Sequence, residues 1–275
     1  MLEFDYDSFI NGSGSYFNEI VDVASDMFFI KMYCRRHGLK FDENELIEKI
    51  KESVGPEGTV MIRAFNWDFC KGKLFDIRRT CSQVGSLGNI ALERSDFRRT
   101  KHPLYSWLVY GKYQEYLTEI DPVNSFGEGS IFDFLCLNKA KLLTVGNTSV
   151  SGFSHFHHAE QLAKVPYRYN KFFIADYIDY EGNFSKKKYT MYVRRLDIRN
   201  HNSTTELESG FEKLGIRKIF LYDNYLKCMI TDIASGVNVA IEELTKNFGR
   251  RTIYIEDHMG FENFPPRQEK FENEC

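Results

Sequence analysis

The stretch DENELIEKIKESVGPEGTVMIRAF, residues 42–65, constrains the fold more than any other part of the chain. Leu46, Ile47 and Ile50 recur at helical spacing behind an Asp/Asn-rich start, so an amphipathic helix runs up to Gly55, which ends it. GTVMIRAF follows as a buried strand. SWLVYG and AKLLTVG are two further short apolar runs closed by glycine. SIFDFLCLN reads as a helix, and KKKYTMYVRRLDI alternates like a half-exposed strand. Residues 215–249 hold a strand or two and then a helix. Strands and helices interleave throughout, so the fold class is α/β.

At 275 residues the chain can bury a substantial core in one large domain or two modest ones. No repeat or Pro/Ser linker divides it, and the organisation expected is a single domain over residues 1–265 with a loose tail at 266–275. A net charge of −3 argues against a nucleic-acid binder. No run reaches membrane-spanning length, and the start MLEFDYDSF is unlike a signal peptide, so the cytoplasm is the expected compartment. The 24 Phe and 16 Tyr supply core bulk and aromatic faces for a ring-shaped ligand. Cysteines at 34, 70, 81, 136, 228 and 275 form no C-x-x-C pair and read as reduced, mostly buried thiols.

The segment SGFSHFHHAEQLAKVPYRY places His155, His157 and His158 within four residues, in a chain with seven histidines. His155 and His158, three apart, share a helix side, but H-x-H-H matches no zincin pattern and a third ligand would have to come from elsewhere. No metal is expected. A polar helix start accounts for His155 and His158. RRTCSQVGSLGNIAL reads either as a plain loop before a helix or as a helix start offering backbone N–H groups to a phosphate or a thioester oxygen. FNWDFC reads as a strand end in an exposed turn, where a ligand crevice of an open α/β sheet would lie.

Five strings in order, VGPEGTVMIRAFNWDFC, FDIRRTCSQVGSLGNIAL, KHPLYSWLVYGK, FGEGSIFDFLCLNKAKLLTVG and HHAEQLAKVPYRY, resemble the aminoglycoside 3-N-acetyltransferase family over roughly residues 52–168. The resemblance implies a layered α/β/α sheet, acetyl-CoA as co-substrate, and acetylation of an amine on a sugar-like ring. One departure stands out. Family members begin with a strand ending in a His-Ser-Ser-Leu loop, whereas here the apolar run MFFI leads into residues 31–36, where Arg35 and Arg36 would replace the usual cofactor contacts as phosphate ligands.

The resemblance implies that His157 is the general base, or the group that orients one. A sugar amine is mostly protonated at neutral pH, and its attack on a thioester creates a nitrogen that must lose a proton; an imidazole suits both tasks. Glu160, at i+3, and Asp197, in YVRRLDI, are the two candidates for the carboxylate that orients it. Ser82, Gln83 and Gly85 are expected against the cofactor arm. Ser106 resembles the family serine near the thioester sulfur, available to an oxyanion or to the leaving thiolate, while His102 and Pro103 shape a turn before it. Trp67, Asp68, Phe69 and Arg79 are the expected substrate contacts, with core packing an open alternative for the two aromatics.

From residue 63 to 112, ten Lys/Arg stand against four Asp/Glu. A pocket for polycationic aminoglycosides should be acidic, whereas a positive one favours phosphates. The expected acceptor is therefore a nucleotide-linked amino sugar, such as a dTDP- or UDP-sugar destined for surface polysaccharide, attacked directly in a ternary complex. The rivals are an aminoglycoside-resistance enzyme, a non-catalytic sugar-nucleotide binder and a metal-dependent hydrolase. A homodimer is compatible with the aromatic-rich, strand-bearing chain.

Overall fold

In the computed structural model, residues 2–12, 14, 16–146, 152–255 and 258–264 are described. Ser151 and the expected tail at 266–275 lie outside them. The main elements are β1 (Ile20–Ser25), α1 (Met27–His37), α2 (Glu43–Val54), β2 (Thr59–Arg63), α3 (Leu87–Leu92), β3 (Arg98–Arg99), β4 (Trp107–Gly111), α4 (Ile131–Leu137), β5 (Lys141–Val145), α5 (Phe156–Leu162), β6 (Arg168–Ile178), β7 (Phe184–Arg194), β8 (Arg217–Tyr222), β9 (Leu226–Asp232) and α6 (Ile233–Lys246).

Seven strands form one sheet in the order β8-β9-β5-β1-β2-β4-β3. β1 runs parallel to both neighbours, β2 and β5, and the other pairings are antiparallel. Side chains alternate between two cores. Val60 and Ile62 of β2 pack with Leu46, Ile47 and Ile50 of α2, while Met61 between them joins Trp107 and Phe132 on the opposite side. Helices α1, α2 and α3 therefore cover one face and α4, α5 and α6 the other, an α/β/α sandwich. The α2 boundaries follow from local chemistry: the Asp42 side chain accepts from Asn44 N at 2.8 Å, and Gly55 leaves the helix at φ +67°.

Two elements escaped the sequence pattern. MFFI is the first turn of α1, and residues 31–36 continue that helix; the strand and loop sought there lie five residues earlier, where β1 ends in Ala24 and Ser25. Asp22, in the middle of β1, broke the apolar run and hid the central strand. The half-exposed strand was anticipated as β7, but not its partner β6, which pairs with it over eleven residues. No helix among the described residues is long and apolar enough to cross a membrane.

Asp22 is fully buried, and four donor atoms converge on it. Arg63 reaches it through Nε (3.0 Å) and Nη2 (2.6 Å), Trp107 through Nε1 (2.8 Å), and His155 through Nε2 (2.9 Å). Burial alone would raise the carboxyl pKa, but the Arg63 guanidinium and the His155 hydrogen bond outweigh it and hold Asp22 well below the usual carboxylate range. Burial pushes the His155 imidazole down to about 4, against the pull of Asp22, and pushes that of His102 down to about 3.

Both imidazoles titrate near pH ~6.5 once unfolded. As pH drops below that value, the unfolded chain binds protons that the folded chain refuses, so stability falls. Asp22 adds a loss of the same sign, its contribution being present above pH ~3.9 and lost as pH falls further. Urea denaturation should show a loss of about 2 kcal/mol per imidazole between pH 7 and 5. His155→Gln should flatten that dependence. A stability independent of pH over this range would contradict the buried-neutral assignment.

Candidate active site

The strand order reverses around β1, and a cleft of about 650 Å³ opens at the C-terminal ends of the three parallel strands. β1 brings Ala24 and Ser25 to its wall, β5 brings Thr144, and Arg63 at the end of β2 forms part of its floor. The first turn of α1 contributes Met27 and Phe28 beside the cap residue Asp26, whose carboxylate accepts from Phe28 N at 3.1 Å. Phe65, Trp67 and Tyr105 make an aromatic side. Burial pushes the Tyr105 phenol up to about 12, so it stays a neutral donor.

Gly85 and Ser86 face this cleft from the loop before α3. Gly85 sits at φ +79°, and a Cβ there would lie 3.0 Å from the Ser25 carbonyl oxygen, so the loop can lie against the end of β1 only with glycine. The N–H groups of Gly85 and Ser86 donate to no acceptor among the described residues.

His157 stands at the rim, its side chain 35% exposed. One helical turn on, Glu160 is fully buried and its Oε2 lies 2.6 Å from His157 Nδ1. The other oxygen, Oε1, accepts from Tyr167 Oη and from Asn202 Nδ2, each at 2.9 Å. Arg168 Nε lies 2.8 Å from Oε2. Burial would raise the Glu160 pKa, but Arg168 and the hydrogen bond to His157 overcome this and lower it, so the carboxylate is ionised. An ionised acceptor fixes the proton on Nδ1 and leaves the His157 Nε2 lone pair on the far side of the ring. This pairing can hold a neutral imidazole in one tautomer and stabilise it when it takes a proton.

The three histidines diverge. His155 is sealed against Asp22. His158 is buried, with Nδ1 against the Phe126 carbonyl and Nε2 3.8 Å from Asp133. Among the described residues no three metal-ligating side chains converge.

The aminoglycoside 3-N-acetyltransferase family model matches residues 35–245. The chain belongs to that family. By membership it is an N-acetyltransferase, and its sheet and layers are those of the family fold. Solved structures agree on the fold. AAC-IIIb, in a binary complex with CoASH, is 19% identical over 90% of this chain and 98% of its own, with a TM-score of 0.73. The aminoglycoside acetyltransferase AAC(3)-Xa is 16% identical over 88% and 91%, with a TM-score of 0.71. YokD from Bacillus subtilis is 19% identical over 88% and 98%, with a TM-score of 0.69. No curated protein sequence matches.

Not every residue expected at the acetyltransferase site reaches the cleft. Glu160 holds His157, whereas Asp197 is exposed and pairs with Arg195 at 2.7 Å. Ser106 is fully buried. Its Oγ accepts from Arg99 Nε and donates its one proton to the Ala64 carbonyl, both at 2.9 Å, so it has no donor left for a thioester oxygen or thiolate. Ser82 and Gln83 spend their N–H groups on Asn89 Oδ1 and the Phe65 carbonyl, which leaves Gly85 and Ser86 as the facing donors. Trp67 lines the cleft, but Asp68 is tied to Lys71 and Lys73, Phe69 is core packed edge-on to Tyr189, and Arg79 is exposed outside it.

Arg35 and Arg36 are exposed in the last turn of α1. That is roughly 12 Å along the helix from the turn that faces the cleft. Arg63, by contrast, is part of the floor and was passed over. Its signal was a lone guanidinium inside a buried apolar strand, which demands a buried counter-charge.

Glu160→Gln would leave the Arg168 guanidinium buried without its counter-charge, a loss of about 3–5 kcal/mol. Asp197→Asn should stay within ~0.5 kcal/mol of the parent. Urea denaturation of the two variants checks this; equal losses would reassign the carboxylate.

Proposed function

We propose that this chain transfers the acetyl group of acetyl-CoA to the amino group of an amino sugar, with His157 as general base. The carrying observation is the His157–Glu160 pair at the rim of a cleft that Gly85 and Ser86 also line, their N–H groups donating to no acceptor among the described residues. The volume of about 650 Å³ is in the range of small-ligand sites, and Met27, Phe28 and Val84 give apolar walls suited to a pantetheine arm. A bound acetyl-CoA supplies an activated acyl carbon whose oxygen gains negative charge as the amine adds. Gly85 and Ser86 donate toward such an oxygen. His157 accepts the amine proton at Nε2, the carbon–sulfur bond breaks and CoA leaves as its thiolate, which takes up a proton to give the free thiol, while Glu160 and its three partners keep the ring from turning.

Direct attack within a ternary complex is supported by the cysteines. Burial pushes the thiols of Cys34, Cys70 and Cys136 up to about 11, so they are poor nucleophiles at neutral pH, and none of the three lines the cleft.

For the acceptor we favour a nucleotide-linked amino sugar. Trp67 offers a face for a nucleobase or sugar ring. The family's own description favours the second reading, an aminoglycoside antibiotic. Nucleotide-linked amino sugars and aminoglycosides incubated with acetyl-CoA, with free thiol as readout, decide between them. His157→Asn should lower kcat by about a hundred- to ten-thousand-fold while CoA binding, measured by calorimetry, is retained. A ping-pong kinetic pattern would count against direct attack.

A further inference from the structure

The first turn of α1 holds an aromatic ring outward at the mouth of the cleft. Phe28 lines the cleft and is 66% exposed. Among the described residues its ring meets one other, Phe29, edge-on at 5.3 Å, so a face of Phe28 stays open. Met27 and Val84 wall the cleft, and the far more exposed Phe28 marks where an extended ligand leaves it.

An outer stripe of α1 continues from that ring. Residues three, four and seven apart share a helix side, so Lys31, Met32 and Arg35 follow Phe28 away from the cleft. Lys31 and Arg35 are exposed and Met32 is half-buried, while Ile30, Tyr33 and Cys34 are buried beneath them. Lys31 is paired with Glu43, whereas Arg35 has no ion-pair partner among the described residues. Arg35 stands about 10 Å along the axis from Phe28, and helical side chains lean toward the N-terminus, which narrows the gap. Arg36, one residue on, leaves the stripe by about 100°.

The cleft itself offers phosphates little. Arg63 is paired with Asp22. Asp26 lines the cleft beside Phe28, caps α1 and has no cation partner among the described residues. Its charge disfavours a phosphate at the first turn and suits an uncharged ring there. Clefts of about 650 Å³ enclose drug-sized ligands, and this one must admit the acceptor too, so the nucleotide half of a CoA donor extends beyond it. Adenine presents a flat π face to Phe28, and the phosphates present charge to Arg35.

We propose that the outer stripe of α1 binds the nucleotide half of CoA, with the adenine on Phe28 and a phosphate on Arg35, while the cleft holds the thioester arm. This rests on acetyl-CoA being the donor in the reading above. The full chain is titrated with CoA by calorimetry, and its turnover of acetyl-CoA is compared with that of S-acetylpantetheine, which lacks the nucleotide. Phe28→Ala and Arg35→Gln change exposed side chains. Each should weaken CoA binding about ten-fold and leave kcat/KM for S-acetylpantetheine within two-fold of the parent. Phe28→Tyr, which keeps the ring, should retain the parent's affinity for CoA. Unchanged CoA affinity in Phe28→Ala or Arg35→Gln, or an equal loss with S-acetylpantetheine, overturns the stripe and leaves acetyl transfer standing. A parent that binds CoA through both residues yet releases no thiol with any amino sugar removes acetyl transfer and keeps the stripe. A parent that binds no CoA removes both.

Discussion

The buried Asp22 carboxylate is the interaction on which the rest of the molecule depends. An ion withdrawn from water costs several kcal/mol, and only close opposite charge with full hydrogen bonding offsets that. Asp22 recruits both from distant parts of the chain. Arg63 comes from the neighbouring parallel strand, Trp107 from the antiparallel strand beyond it, and His155 from just before α5. Arg63 extends the tie by donating through Nη1 to the Gly152 carbonyl. One carboxylate thus fastens the sheet to the segment leading into α5, and thereby sets where His157 stands relative to the ends of the strands.

The same segment shows how adjacent residues of one type come to do different work. Successive residues on a helix point about 100° apart. His155, His157 and His158 therefore face a buried carboxylate, the rim of the cleft and a backbone carbonyl. Two are buried with one ring nitrogen each held by a hydrogen bond, and the third turns its ring to the rim of the cleft. Glu160 is equally divided, with Arg168 and His157 on one oxygen and Tyr167 and Asn202 on the other. A carboxylate held by four groups cannot swing away, which gives the imbalance of a half-exposed imidazole on a rigid mount.

Family membership and the local charge of the cleft address different questions. The shared sheet and layers account for a crevice at the strand ends with a glycine loop facing it. They do not dictate which side chains surround an acceptor. Here the cleft is lined by aromatic rings, the Arg63 guanidinium and small polar residues, with one carboxylate among the described residues. Fold and acceptor are therefore separate matters in this chain.

What the sequence determined by itself was local or periodic. The α2 helix, the strands β2, β4 and β5, and the α/β alternation were legible because burial writes hydrophobic spacing into neighbouring residues. The i+3 spacing made Glu160 one of two candidate partners for His157, and the tertiary structure chose it over Asp197. The tertiary structure alone decided everything that rests on contacts between distant residues. Asp22 gains its role only from Arg63, Trp107 and His155, which surround it from distant parts of the chain. Ser106 looked available until Arg99 and the Ala64 carbonyl consumed its hydroxyl. Such partners lie far apart along the chain, so neither periodicity nor spacing could announce them.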